Sequence, residues 1–185
     1  MSTTSWELDP AHTQVEFAVK HMMFTKVRGQ FKDLSGTITV DDDDPSNSSV
    51  EVEIDAASID TGVEDRDNHL RSEDFLWVEE YPTIAFRSTE VEGATAAPGD
   101  EFQVTGELTI RGETREVVLE AVYEGAGPDP WGGERAGFTA TATIDRRDWG
   151  LEWNKALEAG GILVGNDVEM ELSAQAVKQE EEAAV

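Results

Sequence analysis

The sequence predicts an all-β fold, an eight-stranded antiparallel up-and-down barrel, and three observations carry that prediction. Apolar residues recur at every second position in eight separate segments, the period at which strand side chains return to one face. The segments follow one another through turns, and each sets an apolar face against a charged or threonine-rich one, as a sheet closed around an interior requires. One stretch, Ile59 to Phe86, breaks the alternation by crowding charged and apolar residues together. It reads as a short helix and loop, a lid around residues 61–80 over one end of the barrel. A two-sheet sandwich is the rival architecture. The inward faces weigh against it, because Gly36, Gly106, Ala121, Ala140, Ala142 and Ala174 are small beside the large Phe residues, which leaves room inside for something other than side chains.

Taken in order, Trp6 to His12 reads as a lead-in in which Pro10 prevents regular pairing. Alternation begins at Val15, Phe17 and Val19 and stops at the turn His21-Met22-Met23-Phe24. It resumes from Gly29 to Val40, but Phe31 has the opposite parity to Leu34, Gly36, Ile38 and Val40, which places a β-bulge at Lys32-Asp33. Asp41 to Ser49 is an acidic hairpin loop. It does not make a calcium loop, because Ser46 and Val52 stand where Gly and Glu are needed. Val50, Val52 and Ile54 form the next strand, opposite in facing to Glu51, Glu53 and Asp55.

In the lid, Asp60 or Thr61 is placed to cap a helix running to about Ser72, and Tyr81-Pro82 is an extended step. Thr83 to Val91 is a strand, and 94–100 a loop. Phe102, Val104, Gly106, Leu108 and Ile110 then turn through Arg111–Thr114 into Val117, Leu119, Ala121 and Tyr123, the strongest hairpin signal in the chain. Gly125 to Gly133 reads as a long turn, Phe138 to Ile144 as a strand, and Arg146 to Gly165 as an irregular loop bearing Trp149, Trp153 and Ile162-Leu163-Val164. Val168 to Ala174 is the last strand. The organisation expected is one barrel domain over residues 1–178 and a disordered acidic tail at 179–185.

Composition sets the function classes. Asp and Glu number 40 against 14 Lys and Arg, a formal net charge of −26 over 185 residues. Such a surface repels nucleic acid and anionic headgroups, so no nucleic-acid partner and no stable membrane insertion are expected. Its self-repulsion is relieved when salt shortens the screening length to about 3 Å near 1 M, which points to a salt-rich cytoplasm. Cysteine is absent, excluding disulfides and thiolate chemistry. The sequence MSTTSWELDPAHTQ has neither a basic nor an apolar leader segment, and no run is long enough to span a bilayer, so the expectation is a soluble cytoplasmic protein.

Catalytic and metal motifs are missing. The three His, His12, His21 and His69, lie on separate segments without an HExxH pair, so no metal site is expected. No GxSxG elbow occurs, and the glycines of GGILVG lack the Lys-Ser/Thr of a phosphate loop. The one dense polar cluster is RDNHL, where Arg66 and His69 share a helical face beside Asp65 and Asp67. These groups either meet a ligand headgroup at the barrel mouth or fasten the lid to strand-end carbonyls and acids. Phe17, Phe31, Phe86, Phe102 and Phe138 read as core, whereas Phe75, Leu76, Trp77, Trp149 and Trp153 fall in loops, where they plug the barrel or line its entrance.

A series of separated blocks resembles the YceI-like family: Asp9-Pro-Ala-His12, Val19-Lys-His21, Ser58-Ile-Asp-Thr-Gly62, Arg66-Asp-Asn-His-Leu-Arg-Ser72, Asp74-Phe75, Tyr81-Pro-Thr-Ile84-Ala-Phe86, Gly106 to Gly112 and Arg147-Asp-Trp-Gly150. They occur in order across residues 6–176. The resemblance implies a lipocalin-like barrel that binds a polyisoprenoid or similar long lipid, such as an isoprenoid quinone, often as a homodimer, with no catalytic residues and no cofactor besides the lipid. Carried onto this chain, it makes Phe17, Phe31, Ile38, Val52, Ile54, Phe75, Phe86, Leu108, Phe138, Trp149, Trp153 and Leu163 the pore lining. His12, His21, Arg66 and His69 are the groups available to a headgroup or to the lid. Leu76-Trp77 departs from the Phe-Asp usual in the family, and many relatives are exported, whereas this chain shows no export signal. The ranked expectations are a lipid carrier or store, then an enzyme acting on a lipid at the mouth through those polar groups, then a filled barrel that recruits a protein.

Overall fold

Alternation of this kind resolves into eleven strands of one sheet in the computed structural model, which describes residues 3–95, 97–155 and 163–179. They are β1 (Thr3–Leu8), β2 (Gln14–His21), β3 (Thr25–Phe31), β4 (Leu34–Asp41), β5 (Ser49–Asp55), β6 (Ile59–Asp60), β7 (Thr83–Glu92), β8 (Glu101–Ile110), β9 (Glu113–Pro128), β10 (Glu134–Asp145) and β11 (Val164–Lys178), with one helix, α1 (Glu64–Arg71). The order β1-β4-β5-β7-β8-β9-β10-β11 closes on itself because β11 also pairs with β1. This is the eight-stranded antiparallel barrel that the sequence predicts.

The three remaining strands are continuations. Along β11, β1 takes the end near Ala176 (paired with Leu8) and β2 the part from Ser173 (paired with Gln14) to Val164 (paired with His21). In the same way β3 extends β4, and β6 extends β5, through the β2–β3 and β3–β6 pairings. Three of the eight staves are therefore broken in the middle. The break at Lys32-Asp33 is where the parity of apolar residues changes, and the ladder survives it through Asp55 N–H to Asp33 O at 2.9 Å and Lys32 N–H to Ser58 O at 3.3 Å.

Four sequence expectations need correction. Trp6 to Leu8 is strand, not lead-in: Trp6 faces Ile38 on one side and Lys178 on the other, and Pro10 acts only after the pairing has ended. β9 runs through Gly125 and Gly127 to Pro128, paired with β10 around an irregularity at Gly137-Phe138, so the turn shrinks to 129–133. The last strand is longer at both ends, from Val164 to Lys178. The cap position of α1 is Val63, without a side-chain cap. Thr61 is instead bound by Asp67, whose buried carboxylate accepts its N–H at 2.8 Å and its hydroxyl at 2.5 Å. Of the expected tail, Gln179 donates its N–H to Ser5 O at 2.8 Å, while 180–185 lie outside the described residues, as does Ile162.

The barrel has a lid end, with the β2–β3 turn, α1, the β8–β9 turn and residues 146–155 after β10, and an opposite end with the 41–49 loop. Near the lid end one seam is incomplete, because β9 and β10 pair only as far as Thr141 and Glu120. A short 3-10 turn at Arg146–Trp149 follows β10 there. Its Trp149 is buried to 2% exposure and donates Nε1–H to Leu108 O at 2.9 Å, while Arg115 Nε–H reaches Asp148 O at 3.1 Å. The indole thus closes the wall with its one polar atom satisfied. Two inward glycines are not empty space: a Cβ on Gly36 would meet Leu8 Cδ1 at 2.7 Å, and one on Gly106 would meet Phe86 Cζ at 2.5 Å. The room expected at those two positions is taken by neighbouring side chains.

Candidate ligand cavities

Inward-facing strand residues do not fill the barrel. The chain encloses a cavity of about 430 Å³ at the lid end and one of about 310 Å³ at the opposite end. Both fall within the usual range for small-molecule sites. In register, Phe86 pairs with Val52, which lines the far cavity, and with Leu108, which lines the lid cavity. A further depression of about 750 Å³ lies on the outer wall, among Glu16, Arg28, Glu120, Thr141, Glu169 and Glu171. It is charged and open, the wrong environment for an apolar ligand.

The lid cavity is walled by Val15, Phe17, Val19, Val27, Phe31, Ile54, Ile59, Phe75, Ile84, Leu108, Ile110, Ile144, Trp153, Leu163, Val168 and Met170, among others. Alternation alone puts most of them there, one residue in two from β2, β3, β5, β7, β8, β10 and β11. The lid supplies the rest. Chain turns after α1, with Leu76 N–H on Leu70 O at 2.9 Å and Val78 N–H on Arg71 O at 3.0 Å, drive Phe75 and Leu76 inward to 6% and 7% exposure. His69 meets the rings of Phe75 and Trp153 edge-on, with centroids 5.0 and 4.6 Å away.

Of the expected lining residues, Phe17, Phe31, Ile54, Phe75, Leu108, Trp153 and Leu163 border this cavity, and Ile38, Val52 and Phe138 border the far one. Phe86 and Trp149 border neither; both are buried structural groups, one packed over Gly106 and one in the wall. Of the polar candidates, His21, Arg66 and His69 reach the lid cavity. His12 does not. It sits on the outside, its Nδ1 2.8 Å from Asp9, in a cluster where Arg135 bridges Asp9 at 2.7 Å and Asp129 at 3.0 Å. Arg135 and then His12 hold the Asp9 carboxyl down at about 2.

The polar groups of the lid are spent on fastening it. Arg66 donates to Thr61 Oγ1 at 2.7 Å and Thr61 O at 2.8 Å, and His69 Nε2 lies 2.9 Å from Asp74. Arg71, not singled out in the sequence, donates to Ala57 O and Ile59 O, each at 2.9 Å. Arg111 does the same from the β8–β9 turn, reaching Phe75 O at 2.9 Å. Its guanidinium also lies over Trp77, 5.5 Å from the ring centroid. Trp77 in turn packs on Tyr81, centroids 5.8 Å apart, so the departure at Leu76-Trp77 divides its labour, Leu inward and Trp as an outer clasp.

The most consequential residue absent from the expected set is Arg146. It borders the lid cavity at 3% exposure and donates to the carbonyls of Leu151 at 2.5 Å, Gly165 at 2.9 Å and Val164 at 3.4 Å. Its neighbour Arg147 turns outward to pair with Asp145 at 2.6 Å. Burial pushes the Arg146 guanidinium down from its ordinary value, and its charge is met at close range by carbonyl dipoles and by the Phe75 ring, whose centroid is 5.8 Å away. Strand parity could have placed it: Ile144 points inward, so Arg146 is next on that face. Among the described residues no group of three or more His, Cys, Asp or Glu is placed to hold a metal ion, and no helix is long and apolar enough to cross a membrane.

The comparisons agree with this architecture. The model of the YceI-like domain matches residues 6–176. The chain is 43% identical to Protein YceI of Escherichia coli O157:H7 over 141 residues, covering 76% of this chain and 72% of that one. Among solved structures, Burkholderia cenocepacia BcnA shares the fold with a TM-score of 0.77 at 23% identity, covering 91% of this chain and 98% of that one. A polyisoprenoid binding domain from Saccharophagus degradans superposes with a TM-score of 0.70 at 15% identity, covering 92% and 97%. With the domain match spanning nearly the whole barrel, this chain belongs to the YceI-like family.

Proposed function

We propose that this protein is a binding module that holds a polyisoprenoid or similar long apolar chain, such as an isoprenoid quinone, inside its barrel for storage, transport or stress protection. The observation that carries the reading is the lid cavity of about 430 Å³ with aliphatic and aromatic walls. Each methylene moved there from water contributes about 0.8 kcal/mol gross, and large ligands keep about 0.3 kcal/mol per heavy atom net. A long chain therefore binds tightly without polar recognition. The name of the Saccharophagus degradans neighbour, a polyisoprenoid binding domain, supports the same ligand class. In this reading the apolar tail fills the lid cavity, and a carbonyl or phosphate head finds Arg146 or Arg66 at its border.

The enzyme reading requires two of His12, His21, Arg66 and His69 within hydrogen-bond reach of each other at the cavity. His12 lies outside the barrel, and the bonds made by Arg66 and His69 go to Thr61 and Asp74, which favours binding over catalysis. The proposal includes a homodimer and a salt-rich cytoplasmic setting. Native mass spectrometry of protein purified from its own source at high salt tests the reading. A stoichiometric lipid adduct is expected, and repeated recovery of empty protein that also fails to take up added polyisoprenoid would overturn it.

A further inference from the structure

The β2–β3 hairpin differs from the rest of the molecule in charge and in what it exposes. From Phe17 to Lys32 the sequence contains no Asp or Glu, the longest acid-free run in a chain with 40 acids, yet it carries Lys20, Lys26, Arg28 and Lys32. At its tip stand Met22, Met23 and Phe24, exposed to 43%, 53% and 87%. Met22 and Met23 have φ of 53° and 66°, a left-handed backbone that non-glycine residues adopt rarely and at a cost. Strain is here kept in a turn whose apolar side chains point into water, where folding gains nothing from them. The tip also stands at the cavity mouth: Met22 N–H donates to Leu163 O at 2.8 Å, and both His21 and Leu163 border the lid cavity.

Resting on the ligand reading above, we propose that this tip docks on an anionic lipid bilayer, Phe24 and Met23 entering the headgroup region while Lys20 meets phosphates. The lid cavity is thereby set against the membrane, so an apolar chain passes between bilayer and barrel without crossing water. Local charge complementarity selects this occupant. Lys26 is shared with Glu169 at 2.9 Å and Lys32 with Asp60 at 2.7 Å, and Arg28 lies among Glu16, Glu169 and Glu171, so Lys20 provides the larger part of the attraction. A second copy of the chain fits worse, because a two-fold contact through the tip would bring like-charged hairpins face to face and seal the cavity. The overall charge of −26 still repels an anionic surface at long range; screening by salt removes that barrier and weakens the local attraction as well, leaving the apolar contact intact.

The test is vesicle flotation of the full chain with phosphatidylcholine vesicles, with and without phosphatidylglycerol, all free of isoprenoid, at low and molar KCl. Wild type is expected to float with phosphatidylglycerol vesicles, and a Met23→Ser/Phe24→Ser variant to partition at least about tenfold less, as losing two buried apolar side chains implies. Lys20→Glu should weaken flotation at low salt more than at high salt. Circular dichroism checks that the variants fold. No flotation of wild type, or equal flotation of the Ser variant, overturns the proposal. Salt-stable dimers that the Ser variant abolishes overturn it in favour of a second copy. Because the vesicles lack isoprenoid, these results are independent of the barrel's ligand, which lipid extraction of the same variant reads separately.

Discussion

The ring of Phe86 occupies the space in which a side chain on Gly106 would stand, its Cζ 2.5 Å from where that Cβ would lie and the Arg87 carbonyl at 2.6 Å from the same point. Two adjacent strands, β7 and β8, are thereby packed closely side by side under the ring. Phe86→Ala should leave a void at this contact, at a cost of about 3–5 kcal/mol for a buried Phe truncated to Ala. The expected readout is a lower Tm. An unchanged Tm would show that the ring contributes little to holding β7 against β8.

Gly106→Ala acts on the same contact from the other side. The added methyl meets backbone as well as the ring, so it cannot be absorbed by rotating Phe86 alone, and overpacking of this kind costs about 1–3 kcal/mol. Denaturant unfolding measures it. A neutral effect would mean that β7 and β8 separate more easily than their pairing suggests.

Arg146→Met should be strongly destabilising despite restoring an apolar cavity wall. It leaves the Leu151 and Gly165 carbonyls without their Arg146 donor, while Val164 O keeps Asn154 Nδ2–H at 2.7 Å, and buried acceptors left unmet cost about 1–3 kcal/mol each. Arg146→Lys should rescue little, since one ammonium cannot span three carbonyls as a planar fork does. If the Met variant melts with wild type, the Arg is kept for a ligand head and not for the loop.

Acid should loosen the fold in a defined window. Arg135 and His12 hold Asp9, and Arg147 holds Asp145, each at about 2 against an ordinary 3.8. A carboxylate depressed in the folded state contributes stability that is fully present above 3.8 and is lost as pH falls toward 2. Arg135→Ala should therefore flatten the pH dependence of Tm between about 4 and 2 while leaving the neutral-pH slope unchanged. An identical acid profile in the variant would sink the assignment.

Salt provides the last expectation. Glu51, Glu53 and Asp55 all face solvent on one edge of β5, and like charges repeat around the outer wall. Raising KCl from millimolar to molar should raise Tm, because the Debye length falls from tens of ångströms to about 3 Å. A flat or falling curve would remove the case for a salt-rich setting.

Much of this was legible in the chain because the period of two survives wherever one face is buried. What escaped did so for local physical reasons. Pro10 looked like a barrier to pairing, yet β1 ends at Leu8 before it matters. Gly125, Gly127 and Pro128 read as a turn, but the ladder to β10 tolerates them around one irregularity. Small inward residues suggested space, whereas at Gly36 and Gly106 a neighbour's side chain takes it. Arg146 went unnoticed because the adjacent Arg147 has the same chemistry, and only parity through the end of β10 tells which one turns inward. The lid's polar cluster was seen, but whether its atoms face a ligand or the backbone depends on distances that no spacing encodes.

The barrel closes where Trp6 and Leu8 meet Lys178 and Ala176, so the first strand of the barrel to be made waits for the last. Until then the nascent sheet carries two raw edges and an open oily trough, and pairings so distant along the chain form slowly. Its production in the cell should accordingly depend on how long a holding chaperone can shield that trough.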